Sequence, residues 1–108
     1  MLVRAITLGG GGTVVRKTGI ASTNNETFVL PFTPSRIDIH AKFNRPGNQK
    51  RWLYTYDSNM LTNQGYQIYD GTLYTLNFGA GNGVYSINDT TVILALTAGT
   101  DYDVVFIE

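Results

Sequence analysis

Between Ile37 and Phe43 the chain alternates without a fault. Ile37, Ile39, Ala41 and Phe43 are apolar, and Asp38, His40 and Lys42 between them are polar. A period of two puts the apolar set on one face of a strand and the polar set on the other. Just upstream, Phe28-Val29-Leu30 forms an apolar run that stops at Pro31 and turns through Phe32-Thr33-Pro34-Ser35-Arg36. Thr27 to Phe43 therefore reads as two strands joined by a corner, with one face in a core. The constraint is on architecture, and it names no chemistry.

The same grammar recurs along the chain. Strands are expected over Thr13–Ile20, Arg51–Tyr56, Tyr66–Tyr69, Thr72–Phe78, Val84–Ile87, Thr90–Leu96 and Asp101–Glu108. Turn signals separate them: Ser, Thr and Asn at 21–26, Pro46-Gly47 within Asn44–Lys50, an irregular Asp57–Gly65, Asp70-Gly71, the glycines at 79–83, Asn88-Asp89, and Thr97–Thr100. Thr90–Leu96 is nearly all apolar and is expected to be central. No stretch keeps a 3.6-residue period. These features predict a single all-β domain, an antiparallel β-sandwich or jelly-roll-like fold, over residues 13–108. Residues 1–12 join an apolar segment, MLVRAITL, to Gly9–Gly12. They read either as an N-terminal arm on a glycine hinge that grips a neighbour or as a frayed strand and loop.

At 108 residues, 43% hydrophobic and 15% charged, the chain has the composition of one globular core. It has no cysteine, which excludes disulfides, a thiolate nucleophile and Cys-based metal sites. No apolar run approaches the roughly 18 residues of a membrane helix. The N-terminus is too short and glycine-broken for a secretory signal, so the sequons at Asn25 and Asn88 carry little weight.

Net charge is zero but unevenly distributed. All eight cations, Arg4, Arg16, Lys17, Arg36, Lys42, Arg45, Lys50 and Arg51, precede Trp52, and only Glu26 and Asp38 oppose them there, leaving +6. Residues 52–108 hold six acids and no cation, giving −6. Either the halves interleave in one sheet system and neutralise each other, or different surfaces carry opposite charge and favour ordered association.

Catalytic motifs fail on context. Gly9–Thr18 ends in Lys-Thr, but Arg16 occupies the position of the required glycine, and no helix follows; Gly79, Gly81 and Gly83 also lack a following helix. His40, the only histidine, shares a strand face with Asp38, yet Ser22, Ser35, Ser58 and Ser86 lack a nucleophile-elbow setting. Asp57-Ser58-Asn59 and Asp101-Tyr102-Asp103 space oxygen donors two apart without continuing into a calcium loop. No catalytic, cofactor or metal residue is assigned, and no enzyme is expected.

Trp52, Tyr54 and Tyr56 alternate along one strand face. They fill a core or subunit interface, or else make a stacking platform for a sugar or partner, with Asp57 and Asn59 as hydrogen-bonding neighbours. Arg45, Lys50 and Arg51 beside Trp52 could attract nucleic acid, but the acidic second half argues against a dedicated binder.

The order of an apolar strand, PF-x-PSRIDIHA, an aromatic strand and a closing DYDVVFIE resembles small β-sandwich domains of tailed-bacteriophage virions. Phe32, Pro34, Ile37 and Ile39 carry the match, with Pro31 where those domains often have glycine. The resemblance implies a homotrimer that acts as a capsid decoration (cement) protein or as a tail-fibre or head-fibre tip. With no shaft or heptad repeat ahead of it, the chain fits a free-standing decoration subunit better than a fibre tip. The expected partners are a second copy of itself and the major capsid protein, with a glycan or host receptor as the alternative, and no nucleic acid or membrane. The expected location is the capsid surface, after synthesis in the host cytoplasm. Leu2, Val3, Arg4, Ile6, Arg16, Lys17, Asp38, His40 and Lys42 are the candidate interface residues.

Overall fold

The computed structural model describes residues 3–7, 12–45, 48–59, 64–69, 72–77 and 83–108. Leu2, Leu8, the hinge glycines 9–11, Pro46-Gly47, residues 60–63 of the Asp57–Gly65 loop, Asp70-Gly71 and residues 78–82, all invoked above, lie outside them.

Ten strands form two antiparallel sheets, with no helix among the described residues. In chain order they are β1 (Val3–Thr7), β2 (Thr13–Ile20), β3 (Asn25–Val29), β4 (Arg36–Arg45), β5 (Asn48–Asp57), β6 (Gln64–Tyr69), β7 (Thr72–Asn77), β8 (Gly83–Asn88), β9 (Thr91–Ala95) and β10 (Asp101–Ile107). The large sheet runs β1-β2-β10-β4-β5-β6-β7 and the small one β3-β9-β8. The sheets pack as a sandwich.

The alternation in β4 sets the inward face. Ile37, Ile39, Ala41 and Phe43 are buried while Arg36, His40 and Lys42 are exposed. β10 obeys the same rule, burying Tyr102, Val104 and Phe106, and it lies between β2 and β4. Opposite them, the small sheet contributes Phe28, Val84, Val92 and Leu94. Phe28 anchors the centre, edge-on to Tyr102 at 5.5 Å and tilted against Phe106 at 5.4 Å between ring centroids, an arrangement favoured by the ring quadrupoles. Leu30, Phe32 and Leu96 close the ends of the core. The loop at 96–100 is tied to the 21–24 turn by Ala21 N–H to the Thr100 carbonyl (2.8 Å), Gly99 N–H to the Ala21 carbonyl (2.8 Å) and Ala98 N–H to Asn24 Oδ1 (2.9 Å).

Three expectations are adjusted. The Asn44–Lys50 loop is narrower, because Asn44↔Gln49 and Arg45↔Asn48 continue the β4–β5 ladder. The Asn88-Asp89 turn sits one residue later, with Asp89 in the left-handed conformation (φ 56°) and Asn88↔Thr91 paired. β9 is central in its three-stranded sheet but buries only Val92 and Leu94, so one of its faces is not in the core.

Candidate interaction surface

Among the residues whose burial is described, the core residues of the large sheet lie on β2, β10, β4 and β5. Three strands, spaced at about 4.8 Å, are too few to cover seven. The large sheet therefore extends past the small one, and the face of β2, β10, β4 and β5 opposite the core lies outside the sandwich.

The outward positions of the four central strands line up in rows. One row is Thr18–Asp103–His40–Leu53, continued by Tyr66 on β6. The next is Arg16–Val105–Asp38–Thr55, and on its far side lie Val14–Ile107–Arg36–Asp57. Towards the β4–β5 hairpin the row is Ile20–Asp101–Lys42–Arg51. Apolar side chains stand among the polar ones. Ile20 is 66% and Leu53 46% exposed, while Val14, Val105 and Ile107 are partly exposed. An antiparallel face turned only to water would be expected to be polar throughout.

The charges on this face are partly pre-paired. Arg16 reaches diagonally to Asp103, donating from Nε and a terminal nitrogen at 2.8 and 2.7 Å. That bidentate bond holds the Asp103 carboxyl below its usual range, aided by the charges of Arg16 and His40 and opposed by partial burial. Asp38 Oδ1 accepts from Arg36 Nε and from Thr55 Oγ1, both at 3.2 Å. Interleaving therefore does neutralise charge where acidic β10 lies between β2 and β4.

The candidate interface residues separate into two groups. Arg16, Asp38, His40 and Lys42 share the outward face, and Arg4 and Ile6 of β1 pair with the outward positions Arg16 and Val14. Lys17 belongs to the inward register. Its ammonium lies 5.5 Å from the Phe28 ring centroid and 3.5 Å from the Val29 carbonyl, bridging to the small sheet's edge. Val3 pairs with Lys17, and the segment read as an arm includes β1, paired along its length with β2 of the same chain.

Tyr54 and Tyr56 of β5 face the small sheet. Tyr54 is 2% exposed, and Tyr56 packs partly against the core. Burial pushes the Tyr54 phenol up to about 12. Tyr54 therefore belongs to the core rather than to an external stacking platform, because β8 lies over it: its ring packs against Gly83, which has a φ of 69° and no Cβ. Trp52 pairs with Ala41 and Gln67 on the same strand. Asp57 Oδ1 accepts the Asn59 N–H at 2.8 Å, a local turn bond.

No hydrogen bond joins His40 to Asp38 among the described residues, and Ser22 and Ser35 are engaged elsewhere, with Glu26 and with the Ile107 carbonyl. Among the described residues no three His, Cys, Asp or Glu side chains converge as metal ligands. Leu53, Ile20 and the outward set Asp101, Asp103, Val105 and Ile107 were missed as surface residues. The period-two pattern of DYDVVFIE contains the signal for β10, since its outward positions alternate with the buried Tyr102, Val104 and Phe106. Searches against protein-family models, curated proteins and solved structures found no match to this chain.

Proposed function

We propose that the chain is a non-enzymatic structural protein of a tailed-phage virion, a decoration (cement) protein that trimerises, binds the assembled shell and bridges its neighbouring subunits. The observation that supports this reading is the outer face of the seven-stranded sheet. Seven strands and four rows give it roughly 600 Å² in projection, comparable with the ~800 Å² one partner contributes to a stable protein interface. Its mixture of exposed Leu53 and Ile20 with a pre-formed Arg16–Asp103 pair fits docking on a protein surface. The sugar-platform alternative has less support, since Tyr54 lies in the core.

The test is co-sedimentation with assembled shells, followed by the temperature at which decorated shells rupture. Binding with a raised rupture temperature is expected, and Leu53→Asp should abolish both while leaving the circular dichroism spectrum unchanged. A stable protein that never sediments with shells would refute the proposal.

A further inference from the structure

The strand register shows where the sequence's charge asymmetry lies along the molecule. Position along the strands can be read off β4. Asp57 and Ile107 pair with Arg36 at one end, and Arg51 and Asp101 pair with Lys42 six residues further on. Lys42, Arg45, Lys50 and Arg51 therefore lie at the β4–β5 hairpin end, where the acids among the described residues are Asp101 and, beside the turn after β2, Glu26, whose carboxylate accepts from Ser22. Asp57, Glu108 directly after β10, and Asp89 in the β8–β9 turn lie at the other end; Asp89 accepts from the hydroxyl of Thr33, just before β4, at 2.8 Å. Arg36 lies at this end too, among the described residues, in an ion pair with Asp38. Between the ends, Arg4, Arg16 and Lys17 share the middle rungs with Asp38 and Asp103.

Two further features distinguish the basic end. β10 stops at the level of Lys42, and β6 pairs with β5 only as far as Lys50, so the hairpin's last rungs, Asn44↔Gln49 and Arg45↔Asn48, project beyond both neighbouring strands. Lys42 and Arg51 also face each other directly across the β4–β5 ladder. Like charges in that position repel, and Arg51's partner on its other side is Ile68, not an acid. The two ends cannot satisfy each other within one molecule. Six residues of strand separate them by about 20 Å, more than twice the ~8 Å screening length at physiological salt.

We infer that the projecting basic β4–β5 hairpin of one copy docks against the acidic end of a second copy, formed by Asp57, Asp89 and Glu108, in a head-to-tail contact. Such a contact joins two different surfaces, which is what a closed ring of three requires, or an open chain if the rotation does not close. The ring version rests on the trimer proposed above, whereas the charge contact does not depend on ring size.

Sedimentation of the full chain at about 50 mM and about 500 mM salt tests this, with the screening length falling several-fold between them. Assemblies larger than a monomer are expected at low salt, dissociating at high salt. Arg45→Glu/Arg51→Glu at one end and Asp57→Asn/Glu108→Lys at the other should each weaken association about tenfold or more, through lost and reversed charge complementarity. An equimolar mixture of the two variants should form one-to-one pairs and nothing larger. An unchanged far-ultraviolet spectrum and unfolding midpoint would show that each variant is folded. If the wild type is monomeric at both salts, both this contact and the trimer are refuted. If it associates independently of salt, or the folded variants associate as it does, the charge contact alone fails. A salt-sensitive assembly that ignores capsid shells would uphold the contact and refute the decoration role.

Discussion

Replacing Gly83 by alanine tests the packing of the two sheets at one point. Gly83 begins β8 with a φ of 69°, and a Cβ there would lie 2.6 Å from Cζ of Tyr54, inside van der Waals contact with a ring that is 2% exposed. The left-handed backbone costs a β-carbon about 1.5 kcal/mol. Overpacking a buried aromatic adds about 2 kcal/mol, and the lower entropy of the unfolded alanine chain returns about 0.7 kcal/mol. The net loss of about 3 kcal/mol is a large share of the 5–15 kcal/mol typical of a domain, and corresponds to a fall of about 10–20 °C in Tm. Urea unfolding of Gly83→Ala, Tyr54→Leu and the double variant would isolate the clash. In the Tyr54→Leu background the alanine should cost about 1 kcal/mol, the backbone part alone. A Gly83→Ala loss below about 0.5 kcal/mol, or one that is the same in both backgrounds, would refute the claim that this glycine exists to admit the Tyr54 ring.

Three further predictions concern polar groups. Because the Arg16 bond depresses the folded Asp103 carboxyl, its contribution is present above the unfolded carboxylate range and lost as pH falls through the folded value; Asp103→Asn should flatten the acid limb of the stability–pH curve below about pH 4. Tyr54 behaves in the opposite sense. Its folded value of about 12 lies above the ordinary phenol, so stability should decline from pH 10 upward, and Tyr54 should ionise after the exposed tyrosines in a titration followed at about 295 nm. The Thr100 hydroxyl is fully buried, with no hydrogen-bond partner among the described residues. Thr100→Val, which keeps the shape and removes the orphan, should be neutral or stabilising by about 1 kcal/mol in urea unfolding, and a loss of that size would show that the hydroxyl is satisfied in solution.

The strands were largely legible because burial of one face forces a period of two. Ile37 to Phe43 and Tyr102 to Phe106 display that period openly, and both proved to be core strands. Boundaries were less legible at the β4–β5 hairpin. Asn44, Arg45, Asn48 and Gln49 have weak strand propensity, and it is ladder pairing across the turn that keeps them extended. The candidate surface was half legible. The polar face of β4 was found from alternation, but Leu53 and Ile20 look like core residues until their neighbours in the sheet are known. Conversely, Trp52, Tyr54 and Tyr56 alternate as a solvent-facing platform would, and nothing local states which face of β5 meets the small sheet.

By itself the sequence determined that this chain is all-β, which residues alternate, and that its charges divide sharply along its length. Those properties follow from spacing and composition, which local geometry translates directly into strands. Only the tertiary structure decided which strands are neighbours. Placing β10 between β2 and β4 pairs Arg16 with Asp103 and neutralises the middle of the sheet, while the register of β4 with β5 leaves Lys42 facing Arg51 at one end. That choice rests on burying one shared face of apolar side chains drawn from distant parts of the chain. A division of charge in sequence thus became a division between the two ends of the molecule.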